Sequence, residues 1–92
     1  MKAIFMIKKK QEDQTIEEPL LFDTEKSEKI CDCRNSFGYI VKELYLSPKG
    51  IIFERKMMDE KLEIPDQEEI KKYIGENYPD VYIKFFGQVE EA

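Results

Sequence analysis

The segment 39–56 constrains the fold of this chain more than any other part, because it has the pattern of a β-hairpin. Two runs rich in β-branched and aromatic residues flank the four-residue turn Ser47, Pro48, Lys49 and Gly50. Pro48 holds its φ near the value that the second position of a turn requires, and Gly50 tolerates the conformation needed at the end of the turn. We therefore expect a small domain organised around an antiparallel sheet.

Both faces of this hairpin are largely apolar. Since successive strand residues point to opposite faces, the side chains fall into two sets. The first set contains Tyr39, Val41 and Tyr45, and the second contains Ile40, Leu44 and Leu46. We expect one face to take a helix. The other face is either covered by another part of the chain or left as an aromatic patch, and an uncovered patch is where a partner would bind.

Three further strands are expected before the hairpin. Residues 2–8 are apolar at both alternating sets of positions, which predicts a strand covered on both faces. The polar segment 11–18 predicts a surface loop, and residues 19–22 predict a short edge strand that begins with proline. Residues 29–34 predict a strand that leads into the hairpin through a turn.

The C-terminal third of the chain predicts helices. Asp66 is a suitable N-cap, and Glu69 three residues later completes a capping-box pattern. The apolar residues that follow lie on one face of a helix: Ile70, Tyr73, Ile74 and Tyr78. Residues 79–86 fit a strand or a helix, and Pro79 at a first helical position favours the helix. We expect one α+β domain spanning residues 1–92. It would have a mainly antiparallel sheet of four or five strands, with one or two C-terminal helices packed on one face.

The composition argues against catalysis and metal binding. The chain has 92 residues, no histidine and a net charge of −5, so the commonest general base and zinc ligand is missing. Cys31 and Cys33 would lie on one face of a strand, too far apart for an easy disulfide, and no further Cys or His completes a zinc site. The paired carboxylates lie in polar segments, which is typical of solvated surface charge. We expect no enzyme, no cofactor and no metal.

The charge and hydropathy also limit the class of partner. No apolar run approaches the roughly 18 residues of a membrane span, so we expect a soluble, cytoplasmic protein. The acidic balance argues against direct binding of DNA or RNA, which requires an excess of Lys and Arg. The cluster Lys8, Lys9 and Lys10, together with the aromatic residues of the hairpin, leaves a nucleic-acid-binding accessory protein as the alternative. Homodimerisation through a strand edge also stays open.

Five residues of the hairpin form the predicted partner-binding surface: Tyr39, Glu43, Tyr45, Phe53 and Glu54. The aromatic side chains would supply a buried centre, and the carboxylates would face a basic partner. Glu43 lies inside an apolar strand. It is therefore either a functional carboxylate or the partner of a cross-strand Lys or of Arg55.

Three motifs occur in a recognisable order: FDTEKSE at residues 22–28, ELYLSPKGIIF at 43–53 and YIKFFGQVEE at 82–91. They resemble an uncharacterised family of small proteins from phages and conjugative elements of Gram-positive gut bacteria, in which the order is YDTETA, ELYxxxxGxxF and YxxxFGxxEE. This chain departs from the family at residues 57–64, where members have a glycine-rich stretch.

The resemblance supplies no catalytic residues, since the family has no established activity. It implies a context in which small acidic proteins often bind and block a host protein, such as a CRISPR nuclease or another nucleic-acid-binding defence component. We therefore expect a non-enzymatic, anti-defence (anti-CRISPR-like) inhibitor that occludes a host protein.

Overall fold

Six strands in two antiparallel sheets and two C-terminal helices form an α+β fold. The computed structural model describes residues 1–92. The elements are β1 (Lys2–Gln11), β2 (Gln14–Asp23), a 3₁₀ turn (Thr24–Lys26), β3 (Glu28–Arg34), β4 (Ile40–Leu46), β5 (Ile52–Lys56), β6 (Lys61–Glu63), α1 (Gln67–Asn77) and α2 (Pro79–Phe86). Neither helix has the length and apolar content that crossing a membrane requires.

The larger sheet is a four-stranded meander in the order β3-β4-β5-β6. Its centre is the predicted hairpin of β4 and β5, whose turn is closed by a 2.8 Å hydrogen bond from Gly50 N to Ser47 O. Gly50 adopts a φ of 83°, the left-handed conformation that favours glycine. The segment 57–63, for which the sequence predicts no clear element, forms a turn and the short strand β6.

The smaller sheet is the hairpin of β1 and β2, and it corrects the prediction of a loop at residues 11–18. The two strands pair along their whole length, from Lys2 opposite Asp23 to Gln11 opposite Gln14. The polar residues of β2 have no apolar periodicity, but pairing with β1 satisfies their backbone groups and outweighs that local preference. Pro19 is accommodated because β2 pairs on one side only.

The four-stranded sheet lies between the two helices on one face and the β1–β2 hairpin on the other. The helix-side core consists of Ile30, Cys33, Leu44, Ile52, Ile70 and Ile74. The hairpin-side core consists of Phe22, Tyr45, Phe53 and Leu62, with Ala3, Phe5, Ile7 and Leu20 packed against it. The prediction that β1 is covered on both faces is wrong: the hairpin is an outer layer, so Ile4 and Met6 are exposed.

Candidate functional site: an apolar groove between the C-terminal helices

Helix α1 begins at the predicted cap. The Asp66 Oδ1 atom accepts a 3.0 Å hydrogen bond from Glu69 N, which satisfies one of the free amides at the helix start. Ile70 and Ile74 are buried against the sheet, so the opposite face of α1 points outward.

The side chain of Gln67 joins α1 to the sheet. Its amide nitrogen donates to Ile52 O at 2.8 Å, and its amide oxygen accepts from Ile52 N at 2.8 Å. Strand β6 is too short to reach this part of β5, since it pairs only with residues 54–56. Gln67 therefore takes the place of a neighbouring strand at Ile52.

The break between the two helices lies at Tyr78 and Pro79. Proline disfavours helical backbone in the residue before it, and Tyr78 accordingly has φ −139° and ψ 67°. Pro79 then begins α2, as the sequence predicts. The Tyr78 hydroxyl donates a 3.0 Å hydrogen bond to Asp32 O on β3, which fixes this junction against the sheet.

An open groove of about 580 Å³ lies between α1 and α2. Its apolar lining comes from Gly75, Pro79, Tyr82, Ile83 and Val89, and its charged lining is balanced, with Glu68 and Glu76 beside Lys71 and Lys72. The ring of Tyr82 packs against Gly75, where an added Cβ would lie in ordinary van der Waals contact, 3.4 Å from Tyr82 Cδ2. The groove therefore results from the helix break and from a close contact between the two helices.

The helical segment holds most of the net charge of the protein. Residues 66–92 include seven acidic and three basic side chains, a balance of −4 in a chain of net −5. The three lysines have partners within this segment. Lys71 lies 5.3 Å from the centre of the Phe86 ring, Lys84 lies 5.4 Å from that of Phe85, and Lys72 is 4.0 Å from Glu76.

The remaining carboxylates of this segment are not neutralised. No basic group lies within 4.0 Å of Glu68, Glu69, Asp80, Glu90 or Glu91. Glu68 and Glu69 lie in the first turn of α1 and Asp80 in the first turn of α2, where the helix dipole stabilises negative charge. Of these five carboxylates Glu68 lines the groove, and the other four lie elsewhere on the same helical segment.

The five residues of the sequence-predicted binding surface do not share one surface. Tyr45 and Phe53 are buried between the sheet and the β1–β2 hairpin, with ring centres 5.5 Å apart. At Tyr45 and Phe53 this face of the β4–β5 hairpin is therefore covered by another part of the chain, which is one of the two possibilities that the sequence leaves open. Glu54 is buried on the helix side of the sheet, where it pairs with Lys42 at 3.1 Å. Tyr39 stands at the end of the sheet with its side chain 72% exposed.

Glu43 pairs with its cross-strand neighbours, the second of the two roles that the sequence leaves open. Its carboxylate accepts from Lys29 Nζ at 2.8 Å, from the Tyr45 hydroxyl at 3.1 Å and from Arg55 at 3.3 Å. The hydrogen bond from Lys29, followed by the one from Tyr45 and the charge of Arg55, lowers the pKa of Glu43. The Glu43 side chain is only 13% exposed. Its carboxylate therefore connects neighbouring strands and is not available to a partner.

The two thiols lie under the helices and form no disulfide. Cys33 is buried in the helix-side core, and Cys31 is half-buried beside it. A hydrogen bond from the Cys31 thiol lowers the pKa of Cys33 to about 7, and the same interaction raises the pKa of Cys31. No three Cys, Asp or Glu side chains come together as a metal site.

Residue-by-residue reading of the sequence missed the groove. Ile83 and Val89 lie within the motif at 82–91, but at positions that the pattern YxxxFGxxEE leaves open, and their surroundings depend on the helix break at Tyr78. The signal that indicates this region is the uneven distribution of charge, which is visible in the sequence as the acidic surplus of residues 66–92.

No protein-family model, no curated protein and no solved structure matches this chain.

Proposed function

We propose that this protein is a non-enzymatic inhibitor that binds a basic surface of a host protein and occludes it. The observation that carries this proposal is the apolar α1–α2 groove on a helical segment that has five unpaired carboxylates, one of which, Glu68, lines the groove. Stable interfaces combine an apolar centre with a polar rim, and the groove with its surrounding charges has this composition.

The acidic charge of the helical segment supports a basic partner. A host protein that binds nucleic acid presents Lys and Arg along the path of the phosphates. Carboxylates on the inhibitor would meet those cations and steer the encounter, while Tyr82, Ile83 and Val89 would bury an apolar side chain. A defence nuclease of the anti-CRISPR target type fits this description, and the resemblance to proteins of phages and conjugative elements supports the same context.

The groove contains none of the five residues that the sequence singles out. Tyr39 is exposed beside the β3–β4 turn and stays a predicted contact outside the groove. Tyr45, Phe53 and Glu54 are buried, and Glu43 is held by Lys29 and Arg55, so these four stabilise the sheet that supports the helices.

The test begins with capture of a partner from nuclease-treated host lysate on the immobilised full chain, identified by mass spectrometry. The captured protein is then purified and titrated with wild type and with two variants. The first variant neutralises the rim (Glu68→Gln, Glu90→Gln and Glu91→Gln), and the second makes the groove polar (Ile83→Ser and Val89→Ser). Each should weaken binding by about tenfold or more. Heparin, a polyanion, should compete with the wild-type chain.

Matched controls test whether the loss of binding is specific to the groove. The variant Glu12→Gln, Asp13→Asn and Glu28→Gln removes the same charge from exposed positions elsewhere, and Phe37→Ser removes an exposed apolar side chain from the β3–β4 turn. Both should bind like wild type. Equal loss in the controls, or full binding by the rim and groove variants, would contradict the proposal. Capture that vanishes after nuclease treatment would instead favour the nucleic-acid-binding alternative.

A further inference from the structure

The outer face of the β1–β2 hairpin carries an apolar patch that nothing in the chain covers. Ile4, Met6 and Leu21 are 68%, 56% and 54% exposed, and Pro19 is exposed beside them. Ile4 lies directly opposite Leu21, and Met6 lies opposite Pro19. Opposed residues of an antiparallel pair point to the same face, so the four side chains are contiguous.

Charged residues flank this apolar patch in a regular arrangement. On the outer face Lys8 lies opposite Glu17, one step beyond the apolar residues, and Lys2 lies opposite Asp23 at the other end. All the basic groups are on β1 and all the acidic groups are on β2. Neither Lys8 nor Glu17 has an oppositely charged group within 4.0 Å, so both are free to pair. Asp23 is occupied, since it accepts from Glu25 N.

We propose that the occupant of this face is a second copy of the chain, packed face to face about a two-fold axis parallel to the strands. That axis places β1 of one copy over β2 of the other. Ile4 then meets Leu21 of the second copy, Met6 meets Pro19, and Lys8 meets Glu17. Each of these residue pairs forms twice, once on either side of the two-fold axis, as an isologous contact requires.

The charge pattern selects this axis over the alternative. Asp23 is only 8% exposed, so the exposed lysines decide between the two axes. A two-fold axis across the strands, through the middle of the apolar patch, would place Lys8 over Lys2 of the second copy at one end and Lys2 over Lys8 at the other. Like charges would then oppose each other at both ends of the contact, and such pairs are destabilising. The separation of basic and acidic residues onto different strands therefore specifies the orientation of the dimer.

The size of the face sets the strength of the contact. A ten-residue, two-stranded hairpin offers a face of roughly 33 by 10 Å. This face is about 330 Å² for each copy, less than a standard specific interface, so the dimer should be weak and transient and should form at high micromolar concentrations. The face lies on the opposite side of the four-stranded sheet from the helices, so the dimer does not depend on the proposed function of the groove.

Sedimentation velocity on the full chain tests the dimer, at concentrations from about 10 µM to about 500 µM, the range suited to an interface of this size. The variants are Lys8→Glu and Glu17→Lys, measured separately and as an equimolar mixture. Each alone gives two like-charge contacts across the axis and should weaken self-association by about tenfold or more. In the mixture every contact pairs opposite charges, so a heterodimer should form with an affinity within about threefold of wild type.

The controls Lys72→Glu and Glu68→Lys change the net charge by the same amounts on the helical surface, and they should self-associate like wild type. Thermal unfolding confirms that each variant is folded. Three results would overturn the dimer: a wild type that stays monomeric over the whole range, a mixture that fails to associate, or controls that weaken association as much as the hairpin variants. Recovery in the mixture also excludes two-fold pairing through strand edges, because that pairing places β1 beside β1 or β2 beside β2 and never brings Lys8 next to Glu17 of the second copy.

Discussion

Glu43 is largely buried and connects three side chains of the sheet. It accepts hydrogen bonds from Lys29, Tyr45 and Arg55, and these donors lower its pKa below the ordinary value near 4.5. A carboxylate with a lowered pKa contributes stability that is fully present above the unfolded-state pKa. This stability is lost as the pH falls through the lower, folded-state pKa.

The first prediction follows from this group. Glu43→Gln should lower the free energy of unfolding at pH 7 by about 1–3 kcal/mol, because the neutral amide removes the negative charge that Lys29 and Arg55 share and can accept at one oxygen only. The difference from wild type should shrink as the pH falls below the ordinary value near 4.5 and then through the lower pKa of folded Glu43. Urea unfolding at pH 7 and pH 3.5 measures both. Glu28→Gln, at an exposed and unpaired position, serves as the control, and a pH-independent difference would argue against the charge cluster.

At the level of elements, the connection between α1 and the sheet depends on one amide. Gln67→Ala leaves the buried backbone N–H and C=O of Ile52 without partners, which should cost about 1–3 kcal/mol in the free energy of unfolding. Gln67→Glu restores the acceptor but cannot donate to Ile52 O, so at pH 7 it should be destabilising too. Denaturant unfolding of both variants provides the measurement. If Gln67→Glu is as stable as wild type, the hydrogen bond that Gln67 donates to Ile52 O is dispensable.

Substitution of Gly75 should stabilise the protein, unlike the two preceding substitutions. It lies inside α1, where glycine is about 1 kcal/mol less favourable than alanine, and an added Cβ would make an ordinary 3.4 Å contact with Tyr82. Gly75→Ala should therefore raise the free energy of unfolding by about 0.5–1 kcal/mol and the melting temperature by several degrees. Thermal unfolding by circular dichroism tests this. A lower melting temperature would mean that Tyr82 cannot accept the methyl group.

The elements that local signals specify are the ones that the sequence predicts correctly. Gly50 and Pro48 mark the β4–β5 turn, Asp66 marks the start of α1, and Pro79 begins α2. Strand β2 could not be predicted in the same way, because its polar half is ordered by pairing with β1 rather than by its own pattern. The burial of Tyr45 and Phe53 follows from the same hairpin, and this explains why an aromatic face mistaken for a surface is part of the core.

For the whole molecule, the layered arrangement predicts a gradient of local stability. Strands β4 and β5 are covered on both faces and paired on both edges, whereas the tip of the β1–β2 hairpin around Glu12 is an exposed end of an outer layer. Amide hydrogen exchange should be slowest in β4 and β5 and fastest among the paired amides near this tip. Mass spectrometry after pulsed exchange measures the gradient. Equal protection of the tip and the centre at low concentration would contradict it.

The position of the sheet between the helices and the hairpin has a consequence for avidity. If two chains associate through their hairpins, the two grooves face away from each other with both sheets between them. Such a dimer cannot bind a single small target through both grooves, but it can bind two target molecules at once. It would gain apparent affinity only for a target that is itself repeated, in an oligomer or along a filament, where the second binding event becomes intramolecular.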